Sequence, residues 1–155
     1  MMNTIIRPLE PNDAASIADI ASQYNNFTLP SDYVIWMLSQ TQGEFCLVME
    51  QEPGQIIGYV LSIPTATPGE LFVWQLAIKP VEGNSTTRAL RHLFSEANRR
   101  WRARGINRIW FTVADAKRLR LIASLAKDWA KGTPEKRVIF NLPGSPEEEL
   151  YMLDL

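Results

Sequence analysis

The stretch LFVWQLAIKP, Leu71–Pro80, constrains the fold more than any other part of the chain. Pro64, Pro68 and Gly69 precede it, Pro80 ends it, and apolar residues fall on both of its weakly alternating faces. A strand of that kind has no face to offer water, so it belongs in the middle of a sheet that is covered on both sides. The remaining chain must then supply neighbours for its edges and helices for its faces.

The flanking periodicities do so. Asn3–Arg7 reads as a short strand, and Pro8 and Pro11, with Asn12 or Asp13 as a cap, lead into a helix whose apolar positions Ala14, Ile17, Ala21 and Tyr24 fall three and four apart. A connector, Asn25–Pro30, precedes a second helix capped by Ser31 and carrying Tyr33, Val34, Trp36, Met37 and Leu38 up to Gly43. Glu44–Glu50 and Gln55–Ile63 form a hairpin around Glu52, Pro53 and Gly54. From Ser85 to Arg104 the positions Ala89, Leu90, Leu93, Phe94, Ala97 and Trp101 repeat with helical period, and Gly105 is a terminator. Ile106–Val113 reads as a strand and Ala116–Lys131 as a helix closed by Gly132; Arg137–Asn141 and Glu148–Leu155 form a last strand pair turning through Leu142–Pro146. The order β-α-α-β-β-β-α-β-α-β-β, without repeat or linker, predicts one α/β (α+β) domain over 1–155. Its mixed central sheet has about seven strands flanked by four helices.

Composition narrows the partners. Sixteen Lys and Arg against seventeen Asp and Glu leave a net charge of -1, which gives no drive toward nucleic acid or an anionic membrane. One cysteine, Cys46, and one histidine, His92, exclude an internal disulfide and fall short of a structural metal set. No apolar run reaches signal-peptide or membrane-spanning length, so a cytoplasmic location is expected.

The element order, together with FCLVMEQEPGQIIGYVLSIP and LFVWQLAIKP between Gly43 and Pro80, resembles the GCN5-related N-acetyltransferase (GNAT) superfamily over nearly the whole chain. The string LFVWQ is most similar to diaminobutyrate acetyltransferases of ectoine biosynthesis. The resemblance implies an acyltransferase that moves an acetyl or other short acyl group from acyl-coenzyme A to the amine of a small molecule, without a metal. It also implies a central strand that bulges and parts from its neighbour after Val73–Ile78, with backbone groups of Leu76 and Ile78 pairing with pantetheine and the Leu76 amide holding the oxyanion.

At the pyrophosphate loop the family pattern is Gln or Arg, two residues, Gly, one residue, and Gly or Ala. This chain reads Val81, Glu82, Gly83, Asn84, Ser85, Thr86, Thr87, Arg88, keeping one glycine. Backbone amides at a helix start, hydroxyls of Ser85, Thr86 and Thr87, and the Arg88 guanidinium can still meet phosphate; Asn84 and Ser85 serve equally as ordinary caps. Aligned on Ser124–Ala126, the family's asparagine falls on Asp115, which can bond pantetheine, and its proton-donating tyrosine falls on Ile122, which cannot donate. Where the ectoine enzymes read Asp-Leu-Asn-Ser, this chain has Thr28, Leu29, Pro30 and Ser31, without an acid to hold an ammonium. Phe27, Thr28, Tyr33, Trp36 and Trp74 are instead the acceptor-side candidates, which points to a less cationic, more apolar amine.

Alternation places Trp74 and Gln75 on opposite faces, with Trp74 toward the acceptor pocket or in the core as a packing aromatic. Glu70 is a candidate base, directly or through water, or a solvated strand-end carboxylate. Lys117, Arg118 and Arg120 can reach an adenosine phosphate or lie solvated; His92 and Cys46 read as structural. The C-terminal LYMLDL either supports a homodimer or completes the chain's own core. Two other readings stay open: a non-catalytic binding or regulatory module with a degenerate coenzyme A loop, and an acyl carrier protein-dependent N-acyltransferase.

Overall fold

A computed structural model describes residues 4–24, 27–80, 85–113, 115–140 and 148–155. In chain order the elements are β1 (Ile5–Pro8), a 3-10 turn at Pro11–Asp13, α1 (Ala14–Ala21), α2 (Asp32–Thr41), β2 (Leu47–Glu50), β3 (Ile56–Pro64), β4 (Glu70–Ile78), α3 (Ser85–Ala103), β5 (Arg108–Val113), α4 (Ala116–Ala126), β6 (Lys131–Phe140) and β7 (Glu148–Asp154). The seven strands make one sheet in the order β1-β2-β3-β4-β5-β7-β6, with β4 at its centre. Among these pairs β4–β5 is parallel, and α3 supplies the crossover that a parallel connection requires. The other neighbours run antiparallel.

Both faces of the sheet are covered, as the apolar β4 demands. On one face α3 and α4 bury Leu93, Phe94, Ala97, Trp101 and Leu125 against Val60, Leu71, Val73 and Ile109. On the other, α1 and α2 bury Ile17, Ile20, Ile35 and Leu38 against Val48, Tyr59, Leu61 and Ala77. The side chains of β3 alternate between these clusters, Tyr59 and Leu61 to one and Val60 to the other. Tyr151, Leu153 and Leu155 of the C-terminal segment pack into the chain's own core.

Local chemistry explains where the helices begin and end. Ser31 caps α2 by accepting the Val34 amide at 3.2 Å. At the end of α3, Ile106 donates its amide to the Trp101 carbonyl and Gly105 its amide to Arg102, each at 3.0 Å, around a Gly105 with φ of 87°. That bond pair needs a left-handed residue, which glycine adopts without a Cβ clash.

Several expected boundaries move. Asp13 makes no side-chain cap to α1; it accepts from the Glu10 amide at 2.8 Å and from Arg7 at 2.8 and 2.9 Å, and Arg7 also bonds Glu50. This buried carboxylate therefore ties β1 to β2 and the start of α1. β2 begins at Leu47 rather than Glu44, because the Gln42 carbonyl holds the Phe45 and Cys46 amides in a turn at 2.9 and 3.1 Å. The helix expected to run to Lys131 stops at Ala126, where Trp129 leaves the helical path and packs edge-on against Phe94 with ring centroids 4.8 Å apart. β6 then starts at Lys131 rather than Arg137, with its register shifted between Lys131 and Glu135. It is an edge strand, and edges tolerate Gly132, of positive φ, and Pro134, which lacks an amide hydrogen. The expected strand start at Asn3, strand end at Asn141 and turn at Leu142–Pro146 lie outside the described residues.

Candidate active site

β4 pairs with β3 along nearly its whole length, from Leu71 to Ile78, but with β5 only from Glu70 to Val73. Beyond Phe111, β5 continues beside β7 as far as Val113, so β4 and β5 part in the middle of the sheet. A bulge coincides with the parting: Ser62 faces Val73 and Leu61 faces Gln75, leaving Trp74 as the extra residue of β4.

The bulge has two consequences. First, Gln75 and Ala77 join the α1/α2 face, where Trp74 also packs, while Leu76 and Ile78 pack with the α3/α4 face. Trp74 and Gln75 thus lie on one face; the expectation that they alternate is corrected, because the extra residue breaks the period of two. Second, it sets which backbone groups are free. Lys79 donates its amide to the Ile57 carbonyl at 2.7 Å, so Tyr59–Ala77 and Leu61–Gln75, in the same phase, are the hydrogen-bonded pairs. Val60–Leu76 and Gly58–Ile78 are the pairs without such bonds, so the amides and carbonyls of Leu76 and Ile78 turn away from β3 toward the side that β5 has left. The Ile78 carbonyl, accordingly, accepts the Tyr24 hydroxyl.

A cavity of about 330 Å³ occupies the parting. Val73–Ile78 form one wall and Phe111–Val113 the other; Thr86, Thr87, Leu90, Phe94, Arg118, Leu121, Ile122 and Leu125 line it from α3 and α4, and Tyr24 and Phe27 from the segment after α1. Backbone polar groups without a ladder partner bind water or a ligand amide, so the free edge of β4 suits an extended chain bearing amides. The start of α3 borders the cavity through Thr86 and Thr87, and a helix start favours anionic groups.

The wall formed by Trp74 and Phe27 is fixed by a buried relay. Tyr59 donates its hydroxyl to Gln75 Oε1 at 2.8 Å, and Gln75 Nε2 donates to the Thr28 carbonyl at 2.7 Å. The segment carrying Phe27 is therefore held against β4, and Tyr24 stacks on Phe27 with ring centroids 4.9 Å apart. Burial raises the pKa of both phenols, Tyr24 and Tyr59, so both are neutral donors near pH 7.

Leu76, Ile78, Trp74, Phe27, Thr86 and Thr87 all line the cavity. Ser85 opens α3, and Gly83 and Asn84 lie outside the described residues. Other candidates sit elsewhere. Glu70 accepts from Trp110 Nε1 at 2.7 Å and Arg108 at 3.3 Å, at the paired end of β4 and away from the cavity lining. Thr28 contributes its carbonyl to the Gln75 relay rather than a side chain to the lining. Tyr33, 69% exposed, tilts against Trp36 on the outer surface of α2. Arg88 is exposed on α3 and His92 is exposed further along it. Asp115 caps α4 through the Arg118 amide at 2.8 Å and bonds the Arg118 guanidinium at 2.7 Å, and it is Arg118 that lines the cavity. Cys46 is fully buried with its thiol pushed up to about 11 by desolvation, which makes it inert. Two residues went unrecognised in the sequence: Tyr24, read there as an apolar helix position, and Gln75 as the tether of the segment carrying Phe27.

No family profile matches the chain. An L-2,4-diaminobutyric acid acetyltransferase of Virgibacillus pantothenticus is 26% identical over 149 residues, 92% of each chain. One from Bordetella parapertussis is 36% identical over 75 residues, 47% of this chain and 40% of that relative. Among solved structures, the diaminobutyrate acetyltransferase of Paenibacillus lautus, in complex with its substrate L-2,4-diaminobutyric acid and coenzyme A, superposes with a TM-score of 0.80 at 18% identity, covering 99% of this chain and 96% of that one. An acetyltransferase of the GNAT family from Desulfovibrio desulfuricans gives a TM-score of 0.70 at 16% identity, covering 97% and 98%. The chain thus has the fold of GNAT-family acetyltransferases, and its sequence is similar to L-2,4-diaminobutyric acid acetyltransferases.

Proposed function

We propose that the chain transfers an acetyl, or another short acyl, group from acyl-coenzyme A to the primary amine of a small molecule by direct attack within a ternary complex. The observation that carries this reading is the parting of β4 from β5 at the Trp74 bulge, which leaves the backbone groups of Leu76 and Ile78 facing a cavity. Acyl transfer from a thioester needs the amine held near the carbonyl carbon and a donor aimed at the developing oxyanion. The free edge of β4 would pair with the amides of the pantetheine arm, the Leu76 amide would receive the oxyanion, and the start of α3 would meet the phosphates. The named relatives, and the coenzyme A complex of a structural neighbour, support the donor.

The acceptor we infer is an amine whose remainder is apolar. Among the described residues that line the cavity there is no carboxylate, and Tyr24, Phe27 and Trp74 form its acceptor side. The names of the relatives favour a second acceptor, L-2,4-diaminobutyric acid. Calorimetry with acetyl-coenzyme A should give micromolar binding, on the order of −8 kcal/mol. A thiol-release assay over aryl-alkyl amines, amino acids and diaminobutyrate should then rank acceptors; the buried Cys46 leaves that readout clean. Absence of donor binding would overturn the enzymatic reading in favour of a non-catalytic or carrier-protein-dependent one.

A further inference from the structure

Aminolysis of a thioester ends with a thiolate that must take up a proton. Among the described residues lining the cavity, the groups able to donate hydrogen are the Tyr24 phenol, three threonine hydroxyls, the Gln75 amide, the Trp74 indole and the Arg118 guanidinium. The guanidinium stays charged, and the threonine, amide and indole protons are far too weakly acidic to move. Among these neutral groups the phenol is the most acidic, and burial raises its pKa. Its oxygen sits on the rail where a donor's arm would run, because its hydroxyl bonds the Ile78 carbonyl on the free edge of β4. Its ring is fixed by stacking on Phe27, and Phe27 is fixed in turn by the Gln75–Thr28 bond.

We propose that Tyr24, from the segment after α1, is the proton donor to the departing sulfur. This rests on the acyltransferase reading above. The amine nitrogen attacks the thioester carbon, forming the C–N bond and moving the carbonyl pair onto oxygen. Collapse breaks the C–S bond, sulfur keeps that pair, and the phenol O–H gives it a proton. The proton lost by the acylated nitrogen returns through water to the phenolate, so amine and thioester leave as amide and thiol. Ile122, on the opposite wall, has no proton to give, so the acid comes from the acceptor side of the sheet. Desolvation keeps the phenol protonated; the other titratable and charged groups facing this region are Tyr59 of β3, whose phenol is likewise held neutral, and Arg118 of α4.

Tyr24→Phe tests the assignment, since it keeps the ring and removes the proton. In single-turnover thiol release at saturating acetyl-coenzyme A and amine, the variant should be slowed about 10²-fold, while the lost bond to the Ile78 carbonyl lowers Tm only modestly. A ring-fluorinated tyrosine at position 24, a more acidic phenol, should restore turnover and move the alkaline limb of the kcat profile to lower pH, which a merely structural hydroxyl would not do. A wild-type rate in Tyr24→Phe, or a limb that stays in place, overturns the proposal alone. A wild-type protein that binds no acetyl-coenzyme A and releases no thiol overturns the acyltransferase reading and this proposal with it.

Discussion

The two halves of β4 are similar in composition and opposite in use. Leu71–Val73 is paired on both edges, to β3 and to β5; Gln75–Ile78, beyond the Trp74 bulge, is paired on one. In the first half both edges meet a neighbouring strand, and the side chains pack or, at Glu70, bond those of β5. In the second, the bulge turns Leu76 and Ile78 toward a cavity, where the proposed function gives their backbone groups a role. A single extra residue, with the departure of one neighbour, converts a structural strand into a binding edge.

The sharpest break of this comparison is Leu71→Ala in the doubly paired half. Leu71 is fully buried against the α3/α4 core, so the change should cost about 2–5 kcal/mol in denaturant unfolding while leaving the Kd for acetyl-coenzyme A near wild type. Affinity falling as steeply as stability would mean that the halves are not separable. Next in size, replacing the Leu76 amide by an ester removes one N–H aimed at the cavity. It should lower kcat by about 10²–10³-fold with little loss of stability. The same replacement at Ala77, whose N–H bonds Tyr59, should do the reverse, costing about 1 kcal/mol of stability with kcat retained. Equal effects at both positions would refute the assigned backbone directions.

Gln75→Ala probes how the singly paired half holds its acceptor wall. It leaves the Tyr59 hydroxyl and Thr28 carbonyl without a partner in a buried setting, a loss of about 1–3 kcal/mol, and should raise the acceptor KM more than the donor KM. Glu70→Gln should have the smallest effect. The amide oxygen still accepts from Trp110, solvent screens the lost Arg108 pair, and turnover should be unchanged. A large fall in kcat there would return Glu70 to the chemistry.

Much of this was legible in the residues. The doubly apolar Leu71–Ile78 announced a central strand, Ser31 and Gly105 marked helix ends, and the resemblance carried the parting of β4 from β5. What misled was local: Gly132 read as the end of a helix because its usual place is a cap or turn, and an edge strand relaxes that rule. Tyr24 read as one more apolar residue of a helical stripe, because periodicity records a ring's face and says nothing of where its hydroxyl ends. Glu70 looked free because the Trp110 and Arg108 that occupy it come from a strand 38 and 40 residues later.

The sequence by itself determined the number and order of elements, the two-faced burial of β4 and the absence of any charge bias toward polyanions, since each follows from local periodicity and composition. Only the tertiary structure decided that Trp74 is the bulged residue, that Gln75 joins it on the α1/α2 face, and that Tyr24 reaches the Ile78 carbonyl. Those depend on register between strands and on contacts across 54 residues of chain, and neither register nor long-range contact is encoded in the spacing of neighbouring side chains.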